Sequence, residues 1–320
     1  MKPLLIANPN AGGGRSGRTF SALRPIVERV LGPVDVEMTR APGHAIALAR
    51  AAAEGGRELV IALGGDGTLH EVANGVLGAT NGERGGAGTA IGLIADGTGG
   101  DFRKSLHLPH RLDHYLDAIA SGRERRVDAA RATFRNGDGT EGTRWFVNIL
   151  SAGLGGKVDR FVAESPRALT PTAAYLWASV RAIAGSDPAH LTCVVERDGE
   201  RIEKRVFAWA VAVCNGTTFG SGMRIAPMAK VDDGRLEVVA LSAPSKLAFM
   251  LLSRKLYSAE HLGERGVLHL SGERVEIAAA PGAGGAREAR QKVLLDVDGE
   301  PLGELPVRIE VVPGALRLRA

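Results

Sequence analysis

The residues of this sequence that could do chemistry are acids set among glycines at the ends of apolar runs. In "ELVIALGGDGTLHEVANGV" an apolar run meets Gly64, Gly65, Asp66, Gly67 and Thr68, and a helical pattern begins at once. Glycines lack Cβ atoms, so backbone N–H groups there can approach phosphate oxygens, and a helix start adds partial positive charge. A carboxylate at that place repels phosphate unless a cation intervenes, so Asp66 points to Mg²⁺ or to a sugar hydroxyl. Thr68 and Glu71 also fit a capping box, which gives both a structural reading beside the nucleotide-binding one. "IGLIADGTGGDFRKSL" repeats the device with Gly97, Thr98, Gly99, Gly100 and Asp101, where Thr98 and Asp101 could again cap a helix. Two such turns on one sheet favour a shared nucleotide site at the carboxyl ends of parallel strands.

A third glycine run, "NPNAGGGRSGRTF", starts at Asn8. Gly12, Gly14 and Gly17 satisfy the dinucleotide fingerprint, and Glu37 stands where a ribose-binding acid would. Gly12, Gly17, Arg18 and Thr19 satisfy the P-loop pattern, with Arg18 in place of its lysine. Near the C-terminus Asp298, Gly299 and Glu300 read by themselves as a hairpin turn, as do Asp232, Asp233 and Gly234. His107, His110 and His114 straddle Pro109 and read as a solvated surface rather than a metal site.

These groups need elements to hold them. Strand-like runs at 2–7, 34–38, 58–63 and 90–94 alternate with helical patterns at 19–30, 43–54, 69–77 and 112–120, which predicts βαβ units and a parallel, Rossmann-like sheet. Beyond Arg125 short strand-like runs separated by Gly, Asp or Pro predict an antiparallel β-sandwich, interrupted by helices at 171–184 and 244–260. Residues 281–290, "PGAGGAREAR", read as a mobile loop. The helix at 244–260 reads as an ordinary core helix, although its apolar and basic residues could also touch a membrane.

Composition narrows the partners. The 320 residues are 44% hydrophobic, enough for two cores, and carry a net charge of +4. The charge favours anionic partners, but no basic tract with interleaved aromatics points to nucleic acid. Cys193 and Cys214 form no C-x-x-C pair, and no apolar run approaches membrane-spanning length. A cytoplasmic location is expected, with peripheral binding at the inner membrane face left open.

Taken in order along the chain, "NPNAGGG", "GGDGTLHEVANGV", "GTGGDFRKSL", "VDAARA", "NILSAGLGG", "APMAKVDDGRLEVV" and "DVDGE" resemble the diacylglycerol kinase and sphingosine kinase family, in its soluble bacterial lipid-kinase branch. The resemblance implies an α/β nucleotide-binding domain over residues 1–126, joined by a tail at about 306–320, and a larger β-sandwich over 127–305, with ATP in the cleft between them. It implies ATP and Mg²⁺ as cofactors and a lipid hydroxyl as acceptor, diacylglycerol first. Asn8, Gly12 and Gly13 would lie near phosphate, and Gly64 to Thr68, Glu71 and Thr98 would line the nucleotide. Asp66, Asp101 and Asp128 match the acids of a Mg²⁺-linked network. Asp298 matches the general base, with Glu300 beside it, which reverses the hairpin reading of that segment. Asp233 with the carbonyls of Lys230 and Arg235 matches a structural metal site.

Departures from the family pattern are Ala95 for a proline and Gly100 for an asparagine, and Arg15 or Arg18 would stand in for a phosphate-loop cation. Lys157, where sphingosine-type relatives carry an acid, argues for a neutral glycerolipid. A kinase of another hydroxyl, sphingoid or NAD-like, and an inactive nucleotide- or lipid-binding regulator remain as alternatives. The expected partner is a lipid substrate at a membrane surface, with a homodimer left open.

Overall fold

The computed structural model describes residues 1–80, 88–96, 100–154, 161, 178, 181–280 and 292–320. Three apolar runs of four to six residues form strands buried along their whole length: β1 (Leu4–Ala7), β3 (Leu59–Gly64) and β4 (Ala90–Ala95). Burial on both faces is what an uninterrupted apolar strand requires, and it suits the middle of a parallel sheet covered by helices. β2 (Asp35–Met38) is the polar edge strand, so the parallel order is β2-β1-β3-β4. The register sets Leu5 beside Val36 and Ile61, and Ile61 beside Gly92.

Helices α1 (Ala11–Leu31), α2 (His44–Glu54), α3 (Asp66–Gly78), the short α4 (Asp101–Ser105) and α5 (Leu112–Ala120) follow these strands. Gly75 lets α3 lie directly on α2, because a Cβ there would stand 2.5 Å from the Ile46 carbonyl oxygen. The helix expected from residue 69 begins three residues earlier, at Asp66. The whole first core, from Leu5 to Leu318, is continuous across this sheet.

The remaining strands are β5 (Arg125–Arg135), β6 (Glu141–Phe146), β7 (Ile149–Gly153), β8 (Ala189–Arg197), β9 (Glu200–Ala208), β10 (Ala210–Cys214), β11 (Leu236–Leu241), β12 (Val267–Gly272), β13 (Arg274–Ala279), β14 (Leu294–Val297) and β15 (Glu300–Arg319). All pair antiparallel with one another and enclose a second core that includes Phe146, Leu150, Val213, Val238, Leu295 and Ile309. The architecture is therefore an N-terminal α/β unit and a C-terminal β-sandwich-like unit. The expected helix at 171–184 falls largely outside the described residues, and the loop at 281–290 wholly outside them. The expected helix at 244–260 is shorter, α6 (Lys246–Lys255), followed by a 3₁₀ turn at Glu260–Gly263.

β15 ties the two halves together. Its first half pairs antiparallel with β13, β14 and β5. Its end runs parallel to β4, with Leu318 beside Ile91 and Arg319 beside Gly92. The chain thus closes the N-terminal sheet with its last residues.

Candidate active site

The site is assembled where β1, β3 and β4 end. After β1 the backbone turns through Gly12, Gly13 and Gly14 with φ of 60°, 68° and 82°. Three consecutive left-handed residues are accessible only to glycine, and the Gly14 N–H closes the turn on the Asn10 carbonyl at 3.1 Å. A Cβ on Gly12 would stand 3.0 Å from the Asp96 carbonyl oxygen, so this loop and the one after β4 are in contact. Arg15 reinforces the contact, donating to the Asp96 carbonyl at 2.9 Å and to its carboxylate at 3.0 Å. Asn8 holds the start of the turn by accepting the Asn10 N–H at 2.9 Å. Ser16, just past the glycines, has a buried hydroxyl with no hydrogen-bond partner among the described residues.

β3 runs into the second turn. A Cβ on Gly64 would lie 2.3 Å from Thr68 Oγ1, so glycine is required for α3 to start there. The capping box expected of Thr68 and Glu71 is not made. Gly65 is the N-cap, with no side-chain cap, and the Thr68 hydroxyl is buried with no hydrogen-bond partner among the described residues. Glu71 serves the neighbouring helix instead, accepting the N–H groups of Gly43 and Ala45 at 2.9 and 3.0 Å where α2 begins. Nothing lies within 4 Å of a Cβ on Gly67.

Asp66 faces α4, whose first N–H groups, of Asp101 and Phe102, it accepts at 2.9 and 3.3 Å. Burial raises its pKa above the ordinary carboxylate range, and the charges of Asp101 and Asp298 push the same way. Asp101 is itself buried, taking Lys104 Nζ at 2.6 Å and the Ser221 N–H at 2.7 Å. Thr98 lies outside the described residues, and the N-cap of α4 is Gly100, with φ 56°. Asparagine is the residue that best tolerates this left-handed conformation after glycine. The exchange of Asn for Gly at 100 therefore preserves the backbone and gives up only an amide.

Asp298 and Gly299 turn from β14 into β15, both with positive φ (52° and 89°), so Asp298 does sit in a two-residue hairpin turn. That turn drives its carboxylate into the bend between β6 and β7. Oδ1 accepts the N–H of Asn148 (3.1 Å) and Ile149 (2.8 Å), and Oδ2 accepts the N–H of Val147 (2.8 Å) and meets His70 Nδ1 at 3.0 Å. The carboxylate is 2% exposed. Glu300, 27% exposed, lies 3.5 Å from His70 Nε2 on the other side of the ring. Burial opposes charge on His70, but hydrogen bonds to Asp298 and Glu300 prevail and raise its pKa to about 9. Burial likewise opposes ionisation of Glu300, but the hydrogen bond and charge of His70, with Arg144, hold it below the usual range. At neutral pH His70 is an imidazolium held between Asp298 and Glu300.

Asp128 is not brought to Asp66 and Asp101. It is buried in the β-sandwich half, where its oxygens accept the N–H of Gly234 and Gly314, each at 2.7 Å, and it neighbours Asp232 and Asp233. Asp233 accepts the Arg235 N–H at 3.1 Å in the same turn, with Lys230 in electrostatic reach. Among the described residues no group of three or more His, Cys, Asp or Glu side chains is placed to hold a metal ion.

Reading the sequence missed His70 and Asn74. Asn74 donates to the His70 and Trp145 carbonyls, both at 2.9 Å, and accepts the Trp145 N–H at 3.0 Å. The same amide nitrogen lies 3.3 Å from His70 Nε2, which also faces Glu300 at 3.5 Å. The signal was present: Asp66, His70 and Asn74 recur every four residues, along one stripe of a helix.

Residues 2–132 match the diacylglycerol kinase catalytic domain, and residues 148–320 match the YegS C-terminal NAD kinase beta sandwich-like domain. The chain is 30% identical over 285 residues to a probable lipid kinase YegS-like protein of Chromohalobacter salexigens, spanning 89% of this chain and 83% of the relative. The chain belongs to the YegS-like lipid kinase family. As a member of this lipid-kinase family it is a phosphotransferase with an alcohol group as acceptor. A Yersinia enterocolitica probable lipid kinase YegS-like protein is 26% identical, with 99% of this chain and 96% of that one covered. In fold, this family member is similar to the crystal structure of a putative diacylglycerol kinase from Bacillus anthracis, with a TM-score of 0.71, 23% identity and 99% and 96% of the two chains covered. A yeast NADH kinase shares the fold more distantly, with a TM-score of 0.51 and 13% identity over 99% and 82% of the chains.

Proposed function

We propose that the chain transfers the γ-phosphoryl group of ATP to the free hydroxyl of diacylglycerol, giving phosphatidic acid. The observation that carries this reading is the Asp66 carboxylate, which accepts the Asp101 N–H at 2.9 Å and lies within electrostatic reach of Asp101 and Asp298, beside two glycine turns at the strand ends. Phosphoryl transfer needs alignment and neutralisation of charge more than covalent chemistry. The N–H groups of Gly12 and Gly13 and of Gly65 to Gly67 would hold the polyphosphate. Asp66, whose burial beside Asp101 opposes its charge, fits a Mg²⁺ ion, while Asp101 is already paired with Lys104 at 2.6 Å. Asp128 does not fit that group. When bound, the ion would neutralise the polyphosphate.

The hydroxyl proton goes to the acids that His70 joins. Each Asp298 oxygen already accepts two hydrogen bonds, whereas Glu300 is partly open and ionised, so Glu300 is the acceptor and Asp298 the anchor of His70. The resemblance implied Asp298 as the base, with Glu300 beside it.

The lipid would be reached through α6. Its Phe249, Leu252 and Leu256 side is buried, but Leu247, Met250 and Leu251 are 67%, 38% and 56% exposed on another face. The expected core helix thus has a second apolar face. Lys246, Arg254 and Lys255 flank it, and the nearby Tyr257 is in electrostatic reach of Asp101. An apolar face with basic flanks suits an anionic membrane surface next to the site.

Incubation with labelled ATP, Mg²⁺ and a panel of diacylglycerol, a sphingoid base and NAD tests the reading. Label is expected in phosphatidic acid. Transfer to NAD alone, or to none of the three, overturns it.

A further inference from the structure

A second basic site lies away from the glycine turns, where the two halves of the molecule meet. Arg50 of α2, Asn74 of α3, Arg131 of β5, and Thr143, Arg144 and Trp145 of β6 line a cavity of about 350 Å³. Its wall contains three arginines and no carboxylate. Arg50 lies across Gly78, where an added Cβ would be 2.6 Å from its Nη2, and it makes no ion pair among the described residues. Arg144 makes none either, and its Nε is buried without a hydrogen-bond partner. Arg131 stacks over the buried Trp145 at 5.9 Å and reaches one exposed acid outside the cavity, Glu310, at 3.7 Å.

The neighbouring groove on the sandwich shows what arginines on this protein do when no anion is needed. There Arg274 pairs with Glu196 and Glu310, and Arg308 with Glu276. Guanidinium groups converging on one hollow repel one another, and a buried N–H without an acceptor costs free energy. An anion with several oxygens answers both costs. Arginine forks match phosphate geometry in particular, and the cavity is of ligand size.

We propose that the Arg50–Arg131–Arg144 cavity is a binding site for a phosphate group, separate from the nucleotide turns and carried either by free phosphate or by a phospholipid headgroup. The occupant would sit one side chain from the catalytic acids, because Asn74 bonds His70 and Arg144 acts on Glu300.

The test is calorimetric titration of the full chain saturated with a non-hydrolysable ATP analogue, so that the glycine turns are filled. One arm uses inorganic phosphate and the other a short-chain, water-soluble phosphatidic acid. One site is expected in at least one arm, and the tighter arm identifies the source. Arg50→Gln, an exposed position, should weaken binding about tenfold while leaving basal turnover unchanged. Should that variant lose thermal stability, Arg131→Gln is read by the same criterion. Absence of binding in both arms, or a loss under threefold in the variant, overturns the site.

Discussion

At the scale of the residue, His70 sets the protonation of the site. Its value in the folded protein lies above that of free histidine, 6.5 raised to about 9. The stabilisation it provides is therefore complete below about pH 6.5 and is lost as the pH rises through about 9. It amounts to roughly 3 kcal/mol at about 1.4 kcal/mol per pH unit. Denaturant melts of the wild type should weaken from pH 7 to pH 9.5, whereas His70→Gln should show a flatter profile. A parallel decline in both would remove His70 as the cause. The two acids can be separated in the same way. Asp298→Asn sets an amide NH₂ against a bend that supplies three N–H groups, so it should lose about 3 kcal/mol of stability as well as turnover. Glu300→Gln should lose about a hundredfold or more in kcat, with stability within about 1 kcal/mol of wild type. An Asp298→Asn protein as stable as wild type but without turnover would make Asp298 the base.

At the scale of the element, two short segments decide ligand access. The glycine turn after β1 owes its shape to backbone torsion. Gly12→Ala should cost about 1–2 kcal/mol from the left-handed φ and should weaken ATP binding, since its Cβ would press on the Asp96 carbonyl. Isothermal titration with ATP measures this, and unchanged affinity would show that the turn does not hold phosphate. In α6 the exposed face gives the second prediction. Leu247→Ser with Leu251→Ser should abolish sedimentation with vesicles containing anionic lipid, while leaving turnover on a detergent-dispersed lipid in place. Vesicle binding as strong as wild type would move the docking face elsewhere.

At the scale of the whole molecule, β15 makes one cooperative structure of two cores. Val307 and Ile309 pack in the sandwich core, and Leu316 and Leu318 pack in the core of the parallel sheet. Loosening either end should be felt by both. Leu316→Ala, at a position 1% exposed, should cost about 2–5 kcal/mol. Calorimetry should show one unfolding transition in the wild type and one, at lower temperature, in the variant. Two separated transitions in the variant would show that the halves unfold independently.

Much of this was legible along the chain because it depends on local pattern. Buried parallel strands must be continuous apolar runs, and turns that let phosphate approach must be rich in glycine. The α/β half, its turns at Gly12, Gly64 and Gly100, and Asp66 as a notable acid followed from such runs, whereas Asp298 read locally as a hairpin turn and stood out only through the family resemblance. Partnerships between distant residues did not follow, because they are fixed by which strand ends converge in space. Glu71 accepts the N–H of Gly43, the N-cap of α2, 28 residues before it, and Asp128 pairs with N–H groups 106 and 186 residues away rather than with Asp66. His70 lies 228 residues from Asp298, with nothing in its neighbourhood to mark it except a four-residue repeat on α3. By itself, the sequence determined which groups could bind phosphate and move protons, since that chemistry belongs to residue type and local backbone. Only the tertiary structure decided which acid is enclosed by backbone N–H groups and which keeps an open face, since the strand pairing of β14 and β15 against β7 and β5 places them there.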